Sequence, residues 1–224
     1  MIDFHSHILP GMDDGPETVE ESLGMLSESW KQGVDLICST SHFYADEEDP
    51  EEFLKRRRDA YLTLRRAMGY SRYYPEILLG AEVLYFPGIS VAEEVKALAL
   101  ERVPFLLIEP TMMPWTDEML DEIEQCGKTL ECLPVIAHID RYMRMLDDDT
   151  LMDRVLEREI LIQANASFFL HRDTVDLAME SLKKDRIHFI GSDCHNMDDR
   201  KPNIKEAARV IRSRGGEKAF HAMK

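Results

Sequence analysis

Five of the eight histidines, His5, His7, His42, His138 and His195, stand in short motifs that also carry carboxylates. The acids of those motifs are Asp13, Asp14, Glu82, Glu109 and Asp193. Imidazole and carboxylate without thiolate suit borderline-hard divalent cations such as manganese, iron or zinc. These side chains are too many for one ion, so two or three ions sharing bridging carboxylates are expected. The segment from Cys194 to Arg200 also fits the C-x5-R spacing of cysteine-dependent phosphatases. That chemistry needs a loop of free backbone N–H groups around the anion. Here the loop has no glycine and holds Asp198 and Asp199, which would repel a phosphate dianion, so Cys194 reads as a small packing residue.

Such residues can meet only if the chain brings them together. Strand-like runs occupy Ile2–His7, Asp35–His42, Ile77–Leu84, Phe105–Glu109, Leu133–Ile139, Ile160–Ser167 and Ile187–His195. Helical spacing fills the gaps, as in Val19, Leu23, Leu26 and Trp30, or Phe53, Ala60, Leu64 and Met68. Gly33, Gly69, Gly215 and Gly216 read as helix stops. Strand alternating with helix implies parallel pairing with crossover helices. The seven units average about 32 residues, close to the spacing of an eight-fold barrel of roughly 250 residues. An open doubly wound sheet would carry a glycine-rich turn after its first strand. That position holds His7-Ile-Leu-Pro-Gly-Met-Asp-Asp-Gly15 instead, so an α/β, seven-stranded TIM-like barrel is expected. A barrel gathers its strand C-termini on one face, and the polar motifs end the strands. His5 and His7, two apart, point to one side, and Asp193 and His195 repeat this on the last strand.

The 224 residues suit one large domain or two small ones. The 27 Lys and Arg against 43 Asp and Glu give a formal charge of −16. That balance argues against nucleic acid and against anionic membrane surfaces. No run is apolar enough to span a bilayer, and no targeting segment is visible. The four cysteines form no C-x-x-C pair and read as reduced thiols, so a cytoplasmic location is expected.

The segments M-I-D-F-H-S-H, D-D-G-P, S-T-S-H, G-A-E, L-I-E, I-A-H-I-D-R-Y and S-D-C-H-N follow the order and spacing of the PHP (polymerase and histidinol phosphatase) superfamily. The chain most resembles its bacterial capsular-polysaccharide branch of manganese-dependent protein-tyrosine phosphatases. The H-x-H opening speaks only for the superfamily, whereas the last two segments with D-D-G-P are far more specific. The resemblance implies one PHP-type metallophosphatase domain over 1–224, a distorted (β/α)7 barrel, and three divalent ions, chiefly Mn²⁺. By motif position, His5, His7, Glu82 and Asp193 would hold the first ion. Glu82 would bridge to a second, held also by Glu109 and His138, and Asp14, His42 and His195 would take the third. Arg141 and Arg200 match arginines that grip the substrate phosphate. The implied substrate is a phosphotyrosine protein, a bacterial tyrosine kinase that controls exopolysaccharide synthesis. A small phosphomonoester such as histidinol phosphate, or a silent metal-binding regulator, is the rival reading. The branch usually has Glu where Asp140 stands and continues beyond the last helix, whereas this sequence stops at Lys224.

Smaller features carry expectations too. Asp3 and Asn165 are expected to orient ligating imidazoles. Lys55, Arg56, Arg57, Arg58, Arg65, Arg66 and Arg72 form a basic island. It reads as a solvated helix face with Glu51–Lys55 and Glu52–Arg56 pairs, or as a dock for an acidic phosphopeptide. His171, His188 and His221 read as structural or surface residues. Met112, Met113 and Trp115 follow the fourth strand-like run and could line a substrate mouth.

Overall fold

The structure is a computed structural model that describes residues 1–146 and 150–215. Gly216, His221 and the chain end at Lys224 lie outside the described residues. Every strand pairing is parallel, and the strands curl into a barrel. Strands β1 (Ile2–Ser6), β2 (Leu36–Ser39) and β4 (Glu76–Leu79) form one sheet. Strands β3 (His42–Phe43), β5 (Glu82–Leu84), β6 (Phe105–Glu109), β7 (Leu133–Ile136), β8 (Leu161–Asn165) and β9 (Phe189–Gly191) form the other. Thr40–Ser41 joins β2 to β3, and Gly80–Ala81 joins β4 to β5, so these four pieces are two broken strands of one wall. Gly80 N–H still donates to Ser39 O across the break, at 2.9 Å. The seam between β9 and β1 is closed by a bridge between Ser6 and Cys194. His7 N–H donates to Cys194 O at 2.9 Å, and Asp193 N–H to His5 O at 2.8 Å. The seven expected runs are therefore the seven staves of the wall.

Six helices stand where helical spacing or the next motif leads: α1 (Val19–Lys31), α2 (Pro50–Met68), α3 (Asp117–Thr129), α5 (Leu151–Leu156), α6 (Val175–Lys183) and α7 (Ile204–Ser213). Local chemistry sets their ends. Thr18 and Glu21 make a capping box at α1, and Asp49 caps α2 with Pro50 in its first turn. Gly33 and Gly69 take positive φ just beyond α1 and α2. Between β5 and β6 the crossover is two 3-10 turns, Ile89–Val91 and Glu93–Leu98.

Several expectations change. The run drawn to Ile139 ends as a strand at Ile136, and α4 (Ile139–Leu146) begins at once. The run drawn to His195 ends as a strand at Gly191. Arg57 is not on a basic surface: its Nη1 donates to Gly80 O at 2.7 Å and the residue is buried. Arg56 pairs with Glu48 rather than Glu52.

The barrel interior has two floors. The lower one draws on Phe4, Cys38, Leu78, Leu107, Val135 and Ala137, almost entirely strand residues. The larger core, which includes Ile37, Ile77, Leu106, Ile136 and Ile162, lies between strands and helices. Along β1 the register slips by one residue between Asp3 and Ser6, a bulge against β2. The extra residue lets Phe4 join the lower floor while the next residue, His5, joins the upper one.

Candidate metal centre

The upper floor is polar and converges on Glu82, which is fully buried. His138 Nε2 lies 2.7 Å from Glu82 Oε1. His5 Nε2, His7 Nε2 and His42 Nδ1 lie 3.1, 3.2 and 3.2 Å from Glu82 Oε2. Asp193 Oδ1 is 3.6 Å from His5 Nε2 and 3.7 Å from His7 Nε2. Glu109 reaches His138 at 3.5 Å and His42 at 3.7 Å. Asp14 Oδ1 lies 3.1 Å from His195 Nε2 and 3.6 Å from His42 Nε2. All nine residues expected as metal ligands are thus brought together. Three of the possible ligand groupings are His5–His7–Asp193, His42–Glu82–Glu109 and His7–Asp14–His42–His195. The first and third resemble the expected sets. In the middle one His42 stands where His138 was expected, although His138 is also against Glu82.

Two observations fit a cation better than a hydrogen-bonded core. His5 Nε2 and His7 Nε2 face one another at 3.1 Å, with Glu82 between them. The buried nitrogens His42 Nδ1 and His195 Nε2 make no hydrogen bond, although carboxylate oxygens are close. Buried polar atoms normally find a partner. Imidazole lone pairs and carboxylates converging without one form a donor set for divalent ions.

The backbone is bent to bring them there. His138 and Asp193, at the ends of the shortened strands, take φ of 29° and 53°. Positive φ is rare for residues with a Cβ and concentrates at functional sites. Gly191 clears the space beside them. A Cβ on Gly191 would stand 2.4 Å from His5 Cβ and 2.8 Å from His5 N.

Electrostatics sort the groups. Burial opposes charge on His7, but Asp13 and Glu82 outweigh it and hold its pKa up at about 10. Burial lowers His195 to about 4 and also lowers His42. Those two imidazoles stay neutral, with lone pairs available for coordination. Burial would raise Glu82, yet His5 and His138 keep it well below the usual carboxylate range. Burial, aided by Glu82, raises Glu109.

Other side chains hold the donors in place. Asp13 Oδ2 meets His7 Nδ1 at 2.8 Å and accepts His42 N–H at 2.9 Å. Gln163 Oε1 meets His5 Nδ1 at 3.2 Å and accepts His138 N–H at 2.6 Å. Asn165 donates to Asp193 Oδ2 at 3.0 Å, so it orients a carboxylate rather than an imidazole. Asp3 touches no imidazole ring. It accepts from Ser192 N–H at 2.7 Å and Ser192 O–H at 2.6 Å, pinning β1 to the turn after β9. Gln163 escaped the sequence reading, although its place two residues before Asn165 puts both on one face of β8. Tyr44 also escaped it; its ring stacks on His42 at 5.4 Å and 19°.

Two arginines rim the floor. Arg141 donates to Glu109 Oε1 at 3.2 Å and Asp193 Oδ2 at 2.9 Å. Arg200 donates to Asp14 Oδ2 and Asp193 Oδ1, both at 3.1 Å. Their side chains are 26 % and 34 % exposed, so both are open to an incoming anion. Cys194 is different. It is fully buried, and burial pushes its thiol pKa up. Asn196 N–H and Asp198 N–H in the following loop are already donated internally. Met112 and Met113 are exposed, while Trp115 is buried against Tyr142 at 4.8 Å.

A family model described as capsular polysaccharide synthesis, CpsB/CapC, matches residues 1–224. The tyrosine-protein phosphatase CpsB of Streptococcus agalactiae serotype V is 33 % identical over 234 residues, covering 98 % of this chain and 93 % of that protein. CpsB of Streptococcus pneumoniae is 32 % identical over 231 residues, covering 97 % and 92 %. The crystal structures of YwqE from Bacillus subtilis and CpsB from Streptococcus pneumoniae describe unique metal-dependent tyrosine phosphatases. The match there has a TM-score of 0.85 at 23 % identity, over 99 % of this chain and 90 % of that one.

Proposed function

Because the chain belongs to the capsular polysaccharide synthesis CpsB/CapC family, we propose that it is a metal-dependent protein-tyrosine phosphatase. The observation that carries this reading is the pair of buried, unpartnered nitrogens on His42 and His195, set among carboxylates and beneath two arginines. The whole chain, 1–224, acts as one metallophosphatase domain. It binds three divalent ions, most naturally Mn²⁺, on His5, His7, Asp14, His42, Glu82, Glu109, His138, Asp193 and His195. When bound, such ions supply a water activated near neutral pH and neutralise phosphoryl charge.

The remaining work falls to the chain itself. Asp13 and Gln163 fix the rings of His7 and His5, which sets the tautomers that face the floor. Arg141 and Arg200 turn from their carboxylates to the phosphoryl oxygens. Planar guanidinium groups suit that geometry better than ammonium would. A phosphate dianion is therefore attracted locally, although the protein carries −16 overall. The buried, protonated thiol of Cys194 takes no part.

The substrate is a phosphotyrosine segment of a bacterial tyrosine kinase that governs capsule or exopolysaccharide synthesis, and the reaction takes place in the cytoplasm. Among the described residues, no helix is long and apolar enough to cross a membrane. The test is hydrolysis of phosphotyrosine peptide and histidinol phosphate by Mn²⁺-loaded protein, with and without Arg141→Ala. A higher kcat/KM on the peptide is expected, with a fall of about 100-fold or more in the variant. A preference for histidinol phosphate overturns the substrate class. Full activity after exhaustive chelation overturns the metal reading.

A further inference from the structure

The end of the barrel opposite the metal floor is not filled. A cavity of about 200 Å³ lies among the first residues of the strands, walled by Phe4, Cys38, Leu78, Phe105, His188 and Phe189. We propose that this cavity is a second binding site, for a small uncharged aromatic molecule.

Size and lining both select that class. An apolar cavity of about 150 Å³ stays dry and takes up benzene, so 200 Å³ accommodates one substituted ring. Three phenyl rings form much of the wall. Phe4 and Phe189 stack at 3.9 Å and 8°, and Phe105 tilts against them at 6.1 and 5.2 Å. Offset or edge contacts with such rings add to the burial of an aromatic guest. Among the described residues, no Asp, Glu, Lys or Arg lines the cavity, so a charged guest would lose its hydration without gaining a counter-charge. Water against the apolar wall finds few polar partners, so an apolar guest can displace it. The polar side chains on the wall are the Cys38 thiol and the His188 ring. His188 Nδ1 accepts Ile162 N–H at 3.0 Å, so its neutral ring carries the proton on Nε2. Burial lowers the His188 pKa and raises that of Cys38, so both groups stay uncharged near neutrality. The ring would supply one donor to an acceptor on the guest. Access lies beside Val103, which is 36 % exposed.

This site is separate from the phosphatase reading and does not depend on it. The experiment is isothermal titration of Mn²⁺-loaded protein with anisole, an uncharged ring bearing one acceptor, and with benzoate as a charged counterpart. Two variants block the cavity by different routes. Cys38→Leu fills it from within, and Val103→Trp covers the half-exposed mouth, where a misfold is not expected. Saturable one-to-one binding of anisole is expected, weakened at least tenfold in both variants, with benzoate at least tenfold weaker than anisole. No saturable anisole binding, undiminished binding in both folded variants, or benzoate binding as tightly as anisole overturns the proposal.

Discussion

Gly191→Ala tests whether the position of His5 depends on one missing methyl group. A Cβ at 191 would stand 2.4 Å from His5 Cβ, 2.8 Å from His5 N and 3.0 Å from Gln163 Nε2. The first two belong to the backbone and its first carbon, so no rotamer change relieves them. The shortest gap falls about 1 Å below ordinary contact, and the wall must move by that amount. His5 and the Gln163 that fixes its ring move together. Overpacking of this kind costs about 1–3 kcal/mol, or ~2–4 °C of Tm per kcal/mol at this size. Misplacing a reacting group by about 1 Å costs on the order of 100-fold in rate. The assay is kcat/KM on a phosphotyrosine peptide at saturating Mn²⁺, with Tm measured on the same samples. Gly127→Ala is the control. Its nearest neighbour would be Pro134 Cδ at 3.7 Å, and alanine in helix α3 should add about 0.5–1 kcal/mol. A Gly191→Ala protein that keeps wild-type kcat/KM refutes the argument that this contact positions the centre.

The remaining predictions are shorter. Cys194→Ser should keep kcat within about twofold while chelation abolishes it, because the thiol is buried and protonated; loss of turnover in the serine variant with normal metal content contradicts this. In the metal-free protein, His7 has a folded pKa near 10 against 6.5 in the unfolded chain. Its contribution to stability is complete below pH 6.5 and is lost as pH rises towards 10; Tm scans after chelation should fall over that window, and His7→Gln should flatten the fall. Arg57→Ala should lower stability by about 1–3 kcal/mol, since it strands Gly80 O, without altering KM for a phosphopeptide. A changed KM at unchanged stability would return Arg57 to a docking role.

The strands and most helices were legible because their signals are local: β-branched runs, apolar spacing, and caps such as Thr18 and Asp49. The gathering of the polar motifs followed from parallel topology alone. What escaped was non-local or conformational. His and Asp tolerate positive φ better than most residues, but most of them never adopt it, so residue type alone does not mark 138 and 193 as the bent positions. Helix α4 starts right after the His138 turn, so an apolar run there was drawn as strand. In the sequence nothing separates Arg57 from Arg56 and Arg58, which are exposed. Only the turn of α2 towards Gly80 buries it. Asp3 carried the right chemistry for holding an imidazole, but its partner is Ser192, 189 residues away.

The one-residue slip in β1 has a consequence for how this chain can vary. A regular strand sends neighbours to opposite faces, so Phe4 and His5 could not both point inward without it. The bulge acts as a phase shift between two alternating patterns, one oily and one metal-seeking, written on the same strand. Deleting any residue between Asp3 and Ser6 would restore the regular rhythm and force a choice between them. A substitution along this stretch touches one pattern at a time, whereas a change in its length unsettles both.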